Sequence, residues 1–146
     1  MEFFGIVWEN TYDVPKGIEK VFEDVLNDIS NKSNFKKRLD KIMKIRREVI
    51  CILYRLNYVL NEANRLKKTI KGTRLSYYEE RHPITYNATR LKSVIESDED
   101  VLNVNSTYEI CKIQIKYFEG MFNELKDSCR VIYEVMGWLK YTGGEF

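Results

Sequence analysis

The sequence predicts an all-α protein: a long antiparallel helical hairpin with an N-terminal amphipathic helix, assembled through coiled-coil-like helix packing into an oligomer. Three observations lead there. The 146 residues include only two prolines and seven glycines, too few for a loop-rich sandwich or a long flexible linker. Apolar residues recur at helical spacing in separate stretches of the chain. The last of these stretches keeps one heptad register from Val101 to Leu139.

The elements follow in order along one expected domain. Residues 1–31 form an N-terminal arm and helix. The arm carries Phe3, Phe4, Ile6, Val7 and Trp8 without a basic lead-in, and Gly5 interrupts the run, so a signal peptide is not expected. Asp13-Val14-Pro15 reads as a helix start, because Asp caps free amides and proline suits the first turn. Ile18, Val21, Phe22, Val25, Leu26 and Ile29 then share one face. The polar stretch Ser30-Asn31-Lys32-Ser33-Asn34 ends this helix and caps the next.

The second helix runs from about Phe35 to Lys71, within a basic segment assigned to 35–78. Its a positions are Ile42, Val49, Leu56, Ala63 and Ile70, and its d positions are Ile45, Ile52, Val59 and Leu66. Leu53 and Leu60 at e widen the stripe. Gly72-Thr73 is a weak break or bend, and His82-Pro83 a firm one. A short helix over 87–96 is capped near Asn87, with Leu91, Val94 and Ile95 inward. Ser97-Asp98-Glu99-Asp100 reads as a capping box, with the Ser side chain on the free amides and acids near the positive helix end. A divalent-cation site is the sharper reading of those acids, but no further oxygen ligands accompany them at fixed spacing.

The helix over 98–141 is the clearest. Its a positions are Val101, Tyr108, Ile115, Phe122, Cys129 and Met136, and its d positions are Val104, Cys111, Phe118, Leu125, Ile132 and Leu139. At about 1.5 Å per residue such a helix is roughly 65 Å long. A shorter partner from the same chain would not cover it, so the seam Tyr108, Cys111, Ile115, Phe118, Phe122, Leu125, Cys129, Ile132, Met136 and Leu139 is expected to join copies of the chain.

Charge is unevenly spread. The total is +2, yet residues 1–31 hold two basic and seven acidic side chains and residues 93–146 hold five and ten, each −5. Residues 32–92 hold seventeen basic and five acidic, giving +12, a surface suited to a polyanion. Cys51, Cys111 and Cys129 lack CxxC spacing and read as buried, reduced thiols. No stretch is apolar enough to span a membrane. His82 is the only histidine, and no P-loop, GxGxxG or GxSxG occurs. No catalytic site, metal or cofactor is expected.

The positive signal is the run from Arg65 to Tyr78. Arg65, Lys67, Lys68, Lys71 and Arg74 lead into the adjacent Tyr77 and Tyr78, with Arg81 beyond. Phosphates need cations spread along a track, and unpaired bases need flat rings to stack on. No short recognition helix with Arg, Asn or Gln aimed at base edges stands out, so single strands fit better than duplex. These eight residues are the candidate contacts; Tyr77 could equally continue the heptad stripe as a core residue.

Arg74-Leu75-Ser76-Tyr77-Tyr78, a short helix, Ser97-Asp98-Glu99-Asp100-Val101-Leu102, a long amphipathic helix and Trp138 near the end together resemble the UvsY family of recombination mediators of T-even-like phages. The match is good over residues 74–146 and loose over 35–73, and does not extend to 1–31. The resemblance implies a helical protein that assembles into a ring of about six or seven copies. It implies binding to single-stranded DNA, contact with a recombinase and with a single-strand-binding protein, and action in the cytoplasm of the infected host cell. In the family a basic pair precedes the Leu-X-Tyr-Tyr segment; Arg74 matches its second member, while Gly72 stands where the first would be and Lys71 lies one residue away. The glycine and basic residue that follow Tyr-Tyr in the family are displaced here by Glu79-Glu80, before Arg81. Near the end Ser128 and Tyr133 occupy family basic positions, leaving Arg130 nearby. The competing reading is a structural coiled-coil adaptor whose basic face meets an acidic protein or membrane surface. A small helical nuclease accessory or cryptic enzyme is a third.

Overall fold

A computed structural model describes residues 2–3, 6–7, 17–21, 23–24, 35–81 and 87–143. The N-terminal helix start at Asp13, the apolar positions Val25, Leu26 and Ile29, the polar stretch 30–34 and His82-Pro83 lie outside the described residues. Strand β1 (Glu2–Phe3) pairs antiparallel with β2 (Ile6–Val7), Glu2 opposite Val7 and Phe3 opposite Ile6. The sequence reading did not anticipate this small ribbon. Helix α1 covers residues 17–21 and 23–24. Three further helices follow: α2 (Phe35–Arg81), α3 (Ala88–Glu96) and α4 (Glu99–Tyr141). The fold is all-α as expected, with α2 and α4 as its two long packed helices.

Helix α2 does not break at Gly72-Thr73; it continues to Arg81. A lone glycine costs only about 1 kcal/mol in a helix interior, which the surrounding turns absorb. Helix α2 therefore has 47 residues and α4 has 43. The premise that α4 needs a partner longer than its own chain can supply is thus removed.

The chain divides into two compact units, residues 1–55 with 114–146 and residues 56–113. The first is held by an apolar seam. Ile42, Ile45 and Val49 are fully buried and Ile52 nearly so, as are Phe118, Leu125 and Ile132 of α4, with Met121 and Cys129 beside them. Ile18 of α1 joins this core with no exposed surface. Each such Leu, Ile or Phe contributes about 1.5–3 kcal/mol by burial. Arg46 lays its guanidinium over the Phe122 ring at 5.1 Å, closing the seam with a cation on an aromatic face. Burial raises the pKa of the Tyr117 phenol, and the carboxylates of Glu19 on α1 and Glu124 on α4 raise it further.

The second unit has a thinner core: Leu56, Ala63, Ile95, Val101 and Cys111 are buried. Val59 and Ile70 are half-buried, and Leu66, expected inward at d, is 49% exposed. An α-helix drifts by roughly 20° per heptad against a 3.5-residue repeat. By the third repeat after Ile42, that drift has turned the d position outward and brought Lys67 and Arg74 toward α4.

The junction at residues 97–100 departs from the expected capping box. Asp98, not Ser97, caps α4: its carboxylate accepts from the Asp100 amide at 3.1 Å and its carbonyl from the Leu102 amide at 2.9 Å. The Ser97 hydroxyl instead donates to the Val94 carbonyl, closing α3. The other end of α3 is as expected, with the Asn87 side chain accepting from the Arg90 amide at 2.9 Å. Of the three free cysteines, Cys111 and Cys129 are buried, but Cys51 is exposed, contrary to expectation. Its position one residue before Ile52 puts it outside the seam. Desolvation raises the pKa of the buried Cys111 thiol.

Candidate nucleic-acid interface

The eight candidate residues lie in the second unit, on the last five turns of α2. Successive residues advance about 100° around a helix, so the run does not present one face. Arg65 and Lys68 point outward. Lys67, Lys71, Arg74 and Tyr78 point toward α3 and α4, with Tyr77 and Arg81 on the flank between.

Outward, the Arg65 side chain is 75% exposed and pairs with Glu62 at 2.9 Å, one turn back. Such an exposed pair is weak, so a phosphate can compete for the guanidinium. Lys68 is exposed. Gly72 follows Arg65 by seven residues, on the same face, and a Cβ built there meets nothing within 4 Å.

Inward, the cations are engaged by the protein itself. The Lys67 ammonium sits 4.9 Å from the Tyr108 ring centre, and Lys112 of α4 approaches that ring at 5.3 Å while pairing with Glu109 at 3.1 Å. Lys71 is half-buried and, with Gly72, Leu75, Ala88, Leu91, Lys92, Ile95 and Glu96, lines a largely apolar cavity of about 420 Å³. Arg74 is held by two carboxylates, with Nε 3.3 Å from Asp98 and a terminal nitrogen paired to Asp100. The Tyr78 hydroxyl donates to the other Asp98 oxygen at 3.0 Å. That hydrogen bond, then burial and the Asp98 charge, raise the pKa of the phenol, since ionising it would set two anions face to face. Asp98 thus caps α4, anchors Arg74 and receives Tyr78.

On the flank, Tyr77 meets Tyr78 edge to face, with ring centres 5.3 Å apart. Arg74 and Arg81 approach the Tyr77 ring at 5.7 and 5.1 Å. Tyr77 is 39% exposed, so of the two tyrosines the one that could equally be core is the more open. The segment therefore pairs a solvent-facing cationic stripe with an inner ion-paired clasp. From the sequence, Asp98 and Asp100 read as capping acids, with a divalent-cation site as the sharper alternative; their role toward Arg74 depends on a contact across helices that no local spacing reveals. Tyr108 and Lys112 were missed as neighbours of the basic run for the same reason.

The residues expected to join copies of the chain lie mostly inside it. Cys111, Ile115, Phe118, Leu125, Cys129 and Ile132 are buried within the single chain, and Tyr108, Phe122, Met136 and Leu139 are half-buried. The exposed apolar residues of α4 in the first unit are others: Val131, Tyr133, Val135, Trp138 and Tyr141. Among the described residues, no group of three His, Cys, Asp or Glu side chains is placed to hold a metal ion. No described helix is long and apolar enough to cross a membrane.

No protein-family model and no curated protein matches the chain. Among solved structures it is similar to the recombination mediator protein UvsY of bacteriophage T4. One crystal form, lattice type IV, superposes with a TM-score of 0.69 at 18% identity over 86% of this chain and 98% of UvsY. Another, lattice type II, gives 0.70 at 17% identity over 87% and 98%. At that identity the likeness is one of fold.

Proposed function

We propose, from the fold this chain shares with T4 UvsY, that it is a recombination mediator: a binding protein without catalytic chemistry of its own. In this reading it holds single-stranded DNA as an oligomer and helps a recombinase onto DNA covered by single-strand-binding protein. The observation that carries the reading is a superposition that accounts for 98% of the UvsY chain, together with the outward cations Arg65 and Lys68 on α2.

The physical case rests on what a single strand offers. Its phosphates are met by cations that remain in water until the ligand arrives, which Arg65 and Lys68 provide. The exposed apolar residues 131, 133, 135, 138 and 141 on α4 supply a surface for copies of the chain, and several copies on one strand gain avidity of about 10²–10⁴ over one.

A titration of the protein with a single-stranded oligonucleotide and with its duplex, at one salt concentration, tests the DNA half of the reading. Tighter binding of the single strand is expected, and equal affinity overturns it. Native mass measurement tests the assembly half, a monomer at working concentration being the result that sinks it.

A further inference from the structure

Among the described residues, the most exposed aromatic side chain of the second unit belongs to neither of the two tyrosines singled out by sequence. Tyr58 is 64% exposed, against 39% for Tyr77, and Tyr78 is half-buried with its hydroxyl committed to Asp98. On α2, Tyr58 lies about 20° from Arg65 around the helix axis, two turns earlier. Between and beyond them the same face carries Asn61, Glu62, Lys68, Thr69 and Gly72, exposed except for the half-buried Glu62. We infer that Tyr58 is the base-stacking platform of this protein's single-strand site, with Arg65 and Lys68 taking the phosphates that follow.

The inference rests on the mediator reading above and names the residue that would read unpaired bases. A ring half in water with no polar commitment exposes apolar surface, and a nucleobase is a flat partner that covers it without displacing a hydrogen bond. Stacking of a base on such a ring contributes enough to be felt in affinity, and every base has a usable face. The surroundings select the partner. An interface between copies places an aromatic among apolar neighbours, whereas the residues one and two turns after Tyr58 on its face are Asn61, Glu62 and Arg65. Glu62 is the one acid there, and it is already paired with Arg65. Tyr58, one turn after the exposed Tyr54, is the last ring before a cationic polar stripe, which fits a strand whose bases and phosphates alternate.

The experiment titrates single-stranded oligothymidylate into the full-length protein and into Tyr58→Ala, Tyr58→Phe and Tyr58→Trp variants across a salt series, with native mass measured on each preparation. Tyr58→Ala is expected to lose roughly 5- to 150-fold in affinity with an unchanged salt slope, and Tyr58→Phe to retain binding. Oligothymidylate is expected to quench the added fluorescence of Tyr58→Trp relative to the unaltered protein. Unchanged affinity in Tyr58→Ala overturns the inference. So does a loss accompanied by a fall in native mass, which would assign the ring to contacts between copies. If the unaltered protein itself fails to bind oligothymidylate at low salt, the mediator reading falls, and this one with it.

Discussion

The two compact units use one heptad pattern in opposite ways. In the first, the a and d positions of α2 and α4 meet as an apolar seam, with Ile42, Ile45, Val49, Phe118 and Leu125 entirely out of water. In the second, the seam gives way to Lys67 on Tyr108, Arg74 on Asp98 and Asp100, and Tyr78 on Asp98. The first arrangement rests on apolar burial and depends little on ionic strength. The second is weaker, because charges that attract each other must also give up water, but it responds to pH, salt and competing anions. A protein built this way keeps its stability apart from its electrostatics.

The largest expected effect comes from breaking the apolar seam. Phe118→Ala should cost about 3–5 kcal/mol, from lost burial and the cavity left behind, measured by denaturant unfolding. A cost under about 1 kcal/mol would mean the seam is not where the stability lies.

The clasp should fail more gently and with a pH signature. Asp98→Ala removes a helix cap, worth about 0.5–2 kcal/mol, and leaves Arg74 and Tyr78 without a shared acceptor. Because the folded Tyr78 phenol has its pKa raised above its ordinary value of about 10, its contribution is fully present below that value. It is lost as pH rises through the folded pKa, since the unfolded chain gives up the proton first. Tyr78→Phe should therefore flatten the alkaline end of the stability profile. An unchanged profile would place the alkaline response in other groups, such as Tyr117.

Gly72 allows the comparison to be sharpened by addition. With open space around its Cβ position, Gly72→Lys should stabilise the helix by up to about 1 kcal/mol. It should also steepen the salt dependence of single-strand binding by about 0.7 in the log–log slope. A gain in stability with no change in slope would show that the stripe carrying Arg65 does not meet phosphates.

The smallest effect separates the two faces of the basic run. Lys68→Ala should reduce the slope by about 0.7. Arg74→Ala should change it less, because Asp98 and Asp100 already neutralise that guanidinium and a phosphate would only exchange for them. Equal slopes would put Arg74 in the open track and dissolve the distinction between stripe and clasp.

Much of this architecture was legible in the sequence. Val101 through Leu139 kept register because buried apolar side chains leave a period in the chain, and Asn87 marked the start of α3 because capping is local. What escaped depends on accumulated or distant geometry. The outward turn of Leu66 follows from a small angular drift summed over several heptads. Asp98 looked like a cap and is one, but its grip on Arg74 and Tyr78 spans twenty residues or more. The basic run appeared as one track because charge can be counted along a chain, whereas the side of the helix each charge takes depends on what packs beneath it. Tyr58 passed unnoticed because its environment is distinguished by what fails to cover it.

The division into units also bears on the order in which the chain comes together. Residues 56–113 form one uninterrupted segment, whereas the other unit joins residues 1–55 to 114–146. Contact between Lys67 and Tyr108 closes a loop little more than half as long as the one closed by Arg46 and Phe122. Each doubling of loop length costs about 0.6 kcal/mol in entropy, and local contacts form faster. The second unit, one continuous segment, is therefore the natural nucleus. Once it has formed, the loop still to be closed between Arg46 and Phe122 is effectively shorter, so the apolar seam of the first unit forms at a smaller entropy cost.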